Sequence, residues 1–204
     1  MSGTPAEVVA CDTWFSLTPI ADEIMERHPG YRVEIIGGHL LVTPVLDAPH
    51  ARVLSDIMVL LFGGELHPGE TLVAQKIAIW LPTGPEDYAV PDLVVVNDDI
   101  EDHYVQNNTY DPACFRLVLE VTSGNWKDDL GTKAAAYAQA GVPVYVVVDR
   151  AHERIHLFTD PTEARYTRHH PHSPGETVTL PDSIGAKVAL DVAAIIEAGR
   201  PQRS

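Results

Sequence analysis

Three short runs, PDLVVV (91–96), FRLVLEVT (115–122) and VPVYVVVD (142–149), are almost wholly apolar and rich in β-branched residues. A strand with one wet face alternates apolar and polar side chains, so runs like these are strands buried on both faces. Helical segments surround them in the chain. The combination predicts a mixed α/β (α+β) fold, a mixed β-sheet flanked by helices.

The remaining punctuation fills in the elements. Thr13 to His28 carries Trp14, Leu17, Ile20 and Ile24 at helical spacing and is stopped by Pro29-Gly30. YRVEII and HLLVTP flank Gly37-Gly38, which tolerate positive φ, so Tyr31 to Thr43 reads as a hairpin with a primed turn. Ala48 to Leu61 places Val53, Leu54, Ile57, Met58 and Leu61 on one stripe, an amphipathic helix ended by Gly63-Gly64. Thr71 to Leu81 alternates like one long strand. From Asp128 the run DDLGTKAAAYAQAGV is an Ala-rich helix closed by Gly141. Beyond Asp149 come short strand-like pieces, RIHLF, RYTRHH, ETVTL and KVAL, and a last helix from Asp191 to Ala198. With 204 residues, one domain over 1–204 is expected, its core at about 13–160 and the strands and helix of 161–198 appended.

Composition removes several function classes. Cys11 and Cys114 form no CxxC pair, so neither a disulfide framework nor a Cys-rich zinc site is expected. The histidines show no HExxH spacing. Neither GxGxxG nor GxxxxGKS is present, which removes the main support for a dinucleotide or P-loop fold. No apolar run approaches the length of a membrane span and MSGTPAEVVA lacks the pattern of a signal peptide, so a cytoplasmic location is expected. The formal charge of -15 argues against holding nucleic acid by bulk electrostatics. That deficit lies wholly before Arg150; the one local basic patch is Arg165 to His172, read as a solvated hairpin or a phosphate contact.

The informative residues are acids where a sheet would exclude them. Glu120 interrupts LVLEVT, and a buried carboxylate needs a cation, a proton or hydrogen-bond donors to offset its desolvation. Asp92 opens its strand after Pro91; if the two strands pair antiparallel, Asp92 meets Glu120. Two close carboxylates repel, and a shared divalent cation is the natural third partner, Mg²⁺ or Mn²⁺ for hard oxygen donors. Lys133 and Tyr137, four apart, share a helical face. Lys133 suits orienting a water or stabilising charge on a phosphate, while Tyr137 reads as core packing or as a hydroxyl reaching the site. Glu34, inside VEII, is a candidate third carboxylate or an exposed hairpin acid, and Gln75 a candidate hydrogen-bonding partner. A strand-start cap at Asp92 and a metal-free Glu120–Lys133 pair are the structural alternatives.

PDLVVV, LVLEVTS and DDLGTKAAAYAQAGVPVYVVVD, together with YRVEIIGGHLLVTP, resemble the Uma-two family of restriction endonucleases, a branch of the PD-(D/E)XK nuclease superfamily. The resemblance spans roughly Tyr31 to Asp149. It implies a restriction-endonuclease-like fold whose acids bind magnesium for hydrolysis of DNA phosphodiesters. By position, Asp92 matches the PD aspartate, Glu120 the second acid and Glu34 the N-terminal acid, all three as metal ligands. Thr122 stands where the superfamily motif has lysine, so the resemblance assigns that role to Lys133 as a migrated residue, with Lys127 its rival. The expected function is a Mg²⁺- or Mn²⁺-dependent endodeoxyribonuclease with DNA as substrate, no membrane partner and a homodimer left open. The competing class is a catalytically silent nuclease-fold module that binds protein or nucleic acid.

Overall fold

A computed structural model describes residues 16–64, 69–122 and 126–201. Thr13 to Phe15 of the expected first helix, Cys11 and Ser123 lie outside the described residues. The first half of the chain comprises helix α1 (Thr18–Arg27), hairpin strands β1 (Arg32–Ile36) and β2 (His39–Thr43), helix α2 (Ala48–Gly63), and strands β3 (Thr71–Ala74), β4 (Ala78–Trp80) and β5 (Tyr88–Ala89). Strands β6 (Leu93–Asn97), β7 (Tyr104–Gln106), β8 (Thr109–Tyr110) and β9 (Phe115–Val121) follow. Helix α3 (Trp126–Asp128), a π-helical turn over Asp129–Lys133 and helix α4 (Ala134–Gln139) then run on without a break. Strands β10 (Val144–Asp149), β11 (Arg154–Pro161), β12 (Tyr166–His172), β13 (Thr177–Thr179) and β14 (Ala189–Asp191) lead to helix α5 (Val192–Ala198).

The three apolar runs become β6, β9 and β10, the interior of a sheet ordered β12-β11-β10-β9-β6-β3. A second sheet, β2-β1-β5-β4-β8-β7, packs beside it, and β13 pairs β14. Alternation explains why the central strands read as continuous apolar runs. Leu93, Val95, Leu117, Leu119, Val146 and Val148 face one core with α2, α5 and the segment from Val178 to Val192. Val94, Val96, Val118, Tyr145 and Val147 face the other, with α4 and residues of the second sheet. The mixed α/β architecture with helices against the sheet is as expected from sequence.

The hairpin turn is as expected, with Gly37 at φ 59° and Gly38 at φ 70°, the left-handed values a primed turn requires. The long strand expected over Thr71 to Leu81 is instead two strands. Lys76 takes φ 57°, which breaks the ladder and sends the chain from β3, paired with β6, to β4, paired with β5 and β8. The acidic stretch from Asn97 to Tyr104, read as a loop, contains a 3₁₀ turn at Ile100–His103. No helix among the described residues is long and apolar enough to cross a membrane.

Gly64 follows α2 where the chain beyond β13 crosses it. Its carbonyl accepts a 2.8 Å hydrogen bond from the Lys187 N–H. A Cβ there would lie 2.6 Å from Val188 Cγ2 and 2.8 Å from the Lys187 carbonyl oxygen, which is backbone and cannot turn away. Gly64→Ala is therefore expected to lower stability by about 1–3 kcal/mol in a urea titration. An unchanged midpoint would show that the 186–188 segment does not dock against α2.

Candidate active site

Register places the acids. Strands β6 and β9 run antiparallel with Leu93 opposite Leu119, so Asp92 and Glu120 lie side by side one residue further along. Period two aims both at the face carrying Val94 and Val118, beneath the helix from Trp126 to Gln139. On that helix Lys133 and Tyr137 are one turn apart and both reach Glu120 Oε1, Lys133 Nζ donating at 2.8 Å and the Tyr137 hydroxyl at 3.0 Å. Glu34, central in β1, is fully buried; its Oε1 accepts from the Val90 N–H at 2.8 Å and its Oε2 lies 3.0 Å from Lys133 Nζ. The structure thus brings Glu34, Asp92, Glu120 and Lys133 into one buried cluster, with the Tyr137 hydroxyl inside it.

Gln75 is elsewhere, exposed and donating to Met58 Sδ. Lys127 is also exposed, its ammonium 5.6 Å from the centre of the Trp126 ring. Thr122, where the superfamily motif has lysine, is buried and accepts from the Arg150 N–H. The Arg165 to His172 patch contains all of β12, the outer edge of the central sheet, away from these acids.

Three members of the cluster escaped the sequence reading. Arg32 Nη1 donates to Asp92 Oδ1 at 2.7 Å and to the Val90 carbonyl at 2.8 Å, and lies 3.6 Å from Glu120 Oε2. Two residues before Glu34 on a strand, it shares that residue's face, which was the available signal. His50 is buried on α2, with Nε2 3.1 Å from Asp92 Oδ2, close enough to favour the ionised carboxyl although the ring is off the line of a straight hydrogen bond. Its position three before Val53 and four before Leu54 put it on the apolar stripe. Asp129, one turn before Lys133, lies 3.8 Å from its ammonium.

Burial and charge set the protonation states. Burial opposes ionisation of Asp92, but His50, Arg32 and the Val121 N–H at 2.9 Å outweigh it and bring the carboxyl down to about 2. For Glu120 burial outweighs Lys133 and Arg32, and Asp92 and Glu34 add to it, raising the carboxyl to about 8. Asp129 is raised to about 6, again chiefly by burial. Burial also opposes the Lys133 ammonium, but Glu120 and Glu34 prevail and keep it charged, above its ordinary value. Burial, then Glu120, pushes the Tyr137 hydroxyl well up, so it is a neutral donor.

The donor set suits a hard divalent cation. Among the described residues no three His, Cys, Asp or Glu side chains already converge as a finished cage. A cation position nevertheless stands between Asp92 Oδ1 and Glu120 Oε2, and Arg32 Nη1 holds it. Glu34 Oε2 is buried and makes no hydrogen bond of good geometry, its charge partner being Lys133 Nζ at 3.0 Å. Carboxylate oxygens in this number favour Mg²⁺ or Mn²⁺. Two cavities of about 410 and 500 Å³ lie against α1 and the β7–β8 turn and are lined by none of the four clustered residues, so they are separate from this chemistry.

Residues 21–193 match the family model Uma2, described as "Putative restriction endonuclease". Among solved structures, the chain is similar to the crystal structure of a "putative nuclease belonging to DUF820" from Anabaena variabilis ATCC 29413. The TM-score is 0.63 at 13% identity, over 82% of this chain and 91% of that one, a likeness of fold. No curated protein matches.

The raised carboxyls predict an unusual pH profile for the metal-free protein. Between the ordinary carboxylate range and about pH 8 the native state keeps a proton on Glu120 that the unfolded chain has lost, so stability falls as pH rises through that window. Asp129 adds the same sign up to about pH 6. Asp92 acts oppositely: its contribution is present above the ordinary range and is lost only as pH falls through about 2. In chelator, Glu120→Gln should flatten the decline in melting temperature between about pH 5 and pH 8, a difference of a few kcal/mol at most. Parallel wild-type and variant profiles would show that Glu120 is ionised throughout.

Proposed function

The chain belongs to the Uma2 family, and from that membership we propose that it is a divalent-metal-dependent endonuclease hydrolysing DNA phosphodiester bonds at the Asp92–Glu120–Lys133 cluster. The observation that carries the reading is the cation position between two buried carboxylates, beside an ammonium held in its charged form. Three acids and a lysine buried together are costly and add nothing an apolar core would lack, which points to chemistry.

In this reading Asp92 and Glu120 hold Mg²⁺ or Mn²⁺ and Glu34 completes the oxygen set. The bound ion supplies an acidified water and charge stabilisation on phosphoryl oxygens. Lys133 cannot serve as the general base, because its neighbours keep it protonated. Its part is to orient the attacking water and to stabilise negative charge developing on the phosphate. Glu120 must shed its proton to become a ligand, so ion affinity rises with pH towards about 8. Tyr137 fixes Glu120 Oε1 from the helix, which leaves Oε2 directed at the cation position. A DNA substrate would be met in the cytoplasm, the location expected from the sequence.

One observation favours the silent-module reading. Arg32 and Lys133 already neutralise much of the cluster, and a net charge of -15 repels DNA. Cleavage decides between the two. Supercoiled plasmid, linear duplex and single strands are incubated at low salt with Mg²⁺ or Mn²⁺ and wild type, Asp92→Ala, Glu120→Ala or Lys133→Ala. Cleavage by wild type should fall at least about 100-fold in each variant. Asp92→Ala and Glu120→Ala should also lose the rise in melting temperature that the ion gives wild type, whereas Lys133→Ala should keep it. No cleavage and no ion-induced shift in wild type would leave the silent module as the function.

A further inference from the structure

Lys133 and Arg32 balance the same carboxylates but are held differently. The Lys133 side chain is 3% exposed and has short contacts to Glu120 Oε1 at 2.8 Å and Glu34 Oε2 at 3.0 Å. Arg32, the first residue of β1, has 18% of its side chain exposed. Its one short carboxylate contact is Asp92 Oδ1 at 2.7 Å, while Nη1 to Glu120 Oε2 and Nε to Glu34 Oε2 are both 3.6 Å, beyond hydrogen-bond length. Arg32 is therefore the cation that reaches water, and the one whose guanidinium fills the gap between Asp92 and Glu120.

We propose that Arg32 is an exchangeable counter-cation: it holds the position between Asp92 and Glu120 until a divalent ion takes it, and the released guanidinium then binds the phosphate of the substrate. The inference rests on the nuclease reading above and adds how that site couples its ion to its substrate. A guanidinium nitrogen and a divalent ion cannot share one position, since like charges that close repel strongly even where the protein is polarisable. The ion enters only as Arg32 leaves, so its affinity is reduced by the contacts Arg32 gives up. Arg32 stays tethered at the start of β1, within a side-chain length of the ion. The planar fork of its guanidinium matches two oxygens of a phosphodiester, and the incoming phosphate supplies the anion that Asp92 no longer offers. The ion takes the carboxylate and the phosphate takes the guanidinium. Each therefore strengthens the other's binding, by the same factor in both directions.

Calorimetric titration of Mn²⁺ and Mg²⁺ into the full chain, without DNA, tests the first half. Arg32→Gln removes the competing cation and should tighten ion binding by about tenfold while lowering the melting temperature in chelator. An ordinary structural residue would not tighten the ion. Binding of a short labelled duplex in EDTA and in Ca²⁺, an oxygen-seeking ion, tests the second half. Wild type should bind the duplex more tightly with the ion present, by about tenfold, and Arg32→Gln should lose that gain. If Arg32→Gln does not fold in chelator, Arg32→Lys, which keeps the charge without the fork, should show both changes in the same direction and smaller. Ion binding that is unchanged or weaker in both variants, with wild type still binding the ion, overturns the exchange and leaves the nuclease site standing. Tighter ion binding with the duplex gain retained overturns the phosphate role. Absence of ion binding in wild type and variants alike overturns the exchange together with the metal-dependent reading.

Discussion

The contact between Lys133 and Glu120 is the constraint around which the rest of the site is arranged. Both side chains are almost fully buried, and an unpaired ion there would cost several kcal/mol. Their 2.8 Å contact offsets that only in part, which is why Glu34, Arg32 and Tyr137 close in around it. Arg32 and Glu34 come from β1 and Tyr137 from α4. The strand pairing of β6 with β9, the hairpin that carries Arg32 and Glu34, and the helix over the sheet must all be formed before any of the charges is properly compensated. A polar cluster of this kind makes its own assembly depend on the whole fold.

The central sheet separates an apolar core from the charged cluster by face. On one side, the core residues that β6, β9 and β10 contribute against α2 and α5 are Leu and Val. On the other, the same strands carry Val94, Val118 and Val147 up to the point where Asp92 and Glu120 replace apolar side chains at the strand ends. The helix that covers this face departs from regular α geometry at that point. Its π-helical turn ends at Lys133, and such turns insert an extra residue that redirects the side chains around them. Ala134, Ala136 and Ala138 then let the helix approach the sheet closely enough for Lys133 and Tyr137 to reach Glu120.

Much of this was legible because it is written in local patterns. Gly37-Gly38 marked the hairpin, the apolar runs marked the buried strands, and antiparallel pairing put Asp92 beside Glu120. The i, i+4 spacing of Lys133 and Tyr137 gave a shared direction that the structure shows pointing at Glu120. What was not legible depends on reach across the fold. In the sequence Arg32 shares only a strand face with Glu34, and the approach of β1 to the start of β6 gives its guanidinium Asp92 as a partner. In the sequence His50 is only a position on the α2 stripe; its partner, Asp92, is brought to it by the sheet. The break at Lys76 was hidden because the apolar alternation continues across it while the backbone turns.

The overall acidity takes on a different meaning once the charges are placed. Of the cluster's carboxylates, Glu120 is raised by burial to about 8 and so keeps its proton at neutral pH, and Arg32 and Lys133 oppose the negative charge around it. The site itself is then far less repulsive to a phosphodiester than the net charge of -15 implies. The remaining excess lies on exposed acids such as Asp98, Asp99, Glu101 and Asp102, whose influence is screened by salt within about 10 Å at ordinary ionic strength. Raising ionic strength weakens contacts with DNA phosphates but also screens this surface repulsion, so the two effects oppose each other. With DNA as the proposed substrate, the salt dependence of its binding should accordingly be shallower than for a basic nuclease that makes the same phosphate contacts. A shallow slope would place recognition in a few enclosed contacts at the buried cluster, where Arg32, Lys133 and the bound ion meet one phosphate, and not in a broad electrostatic surface.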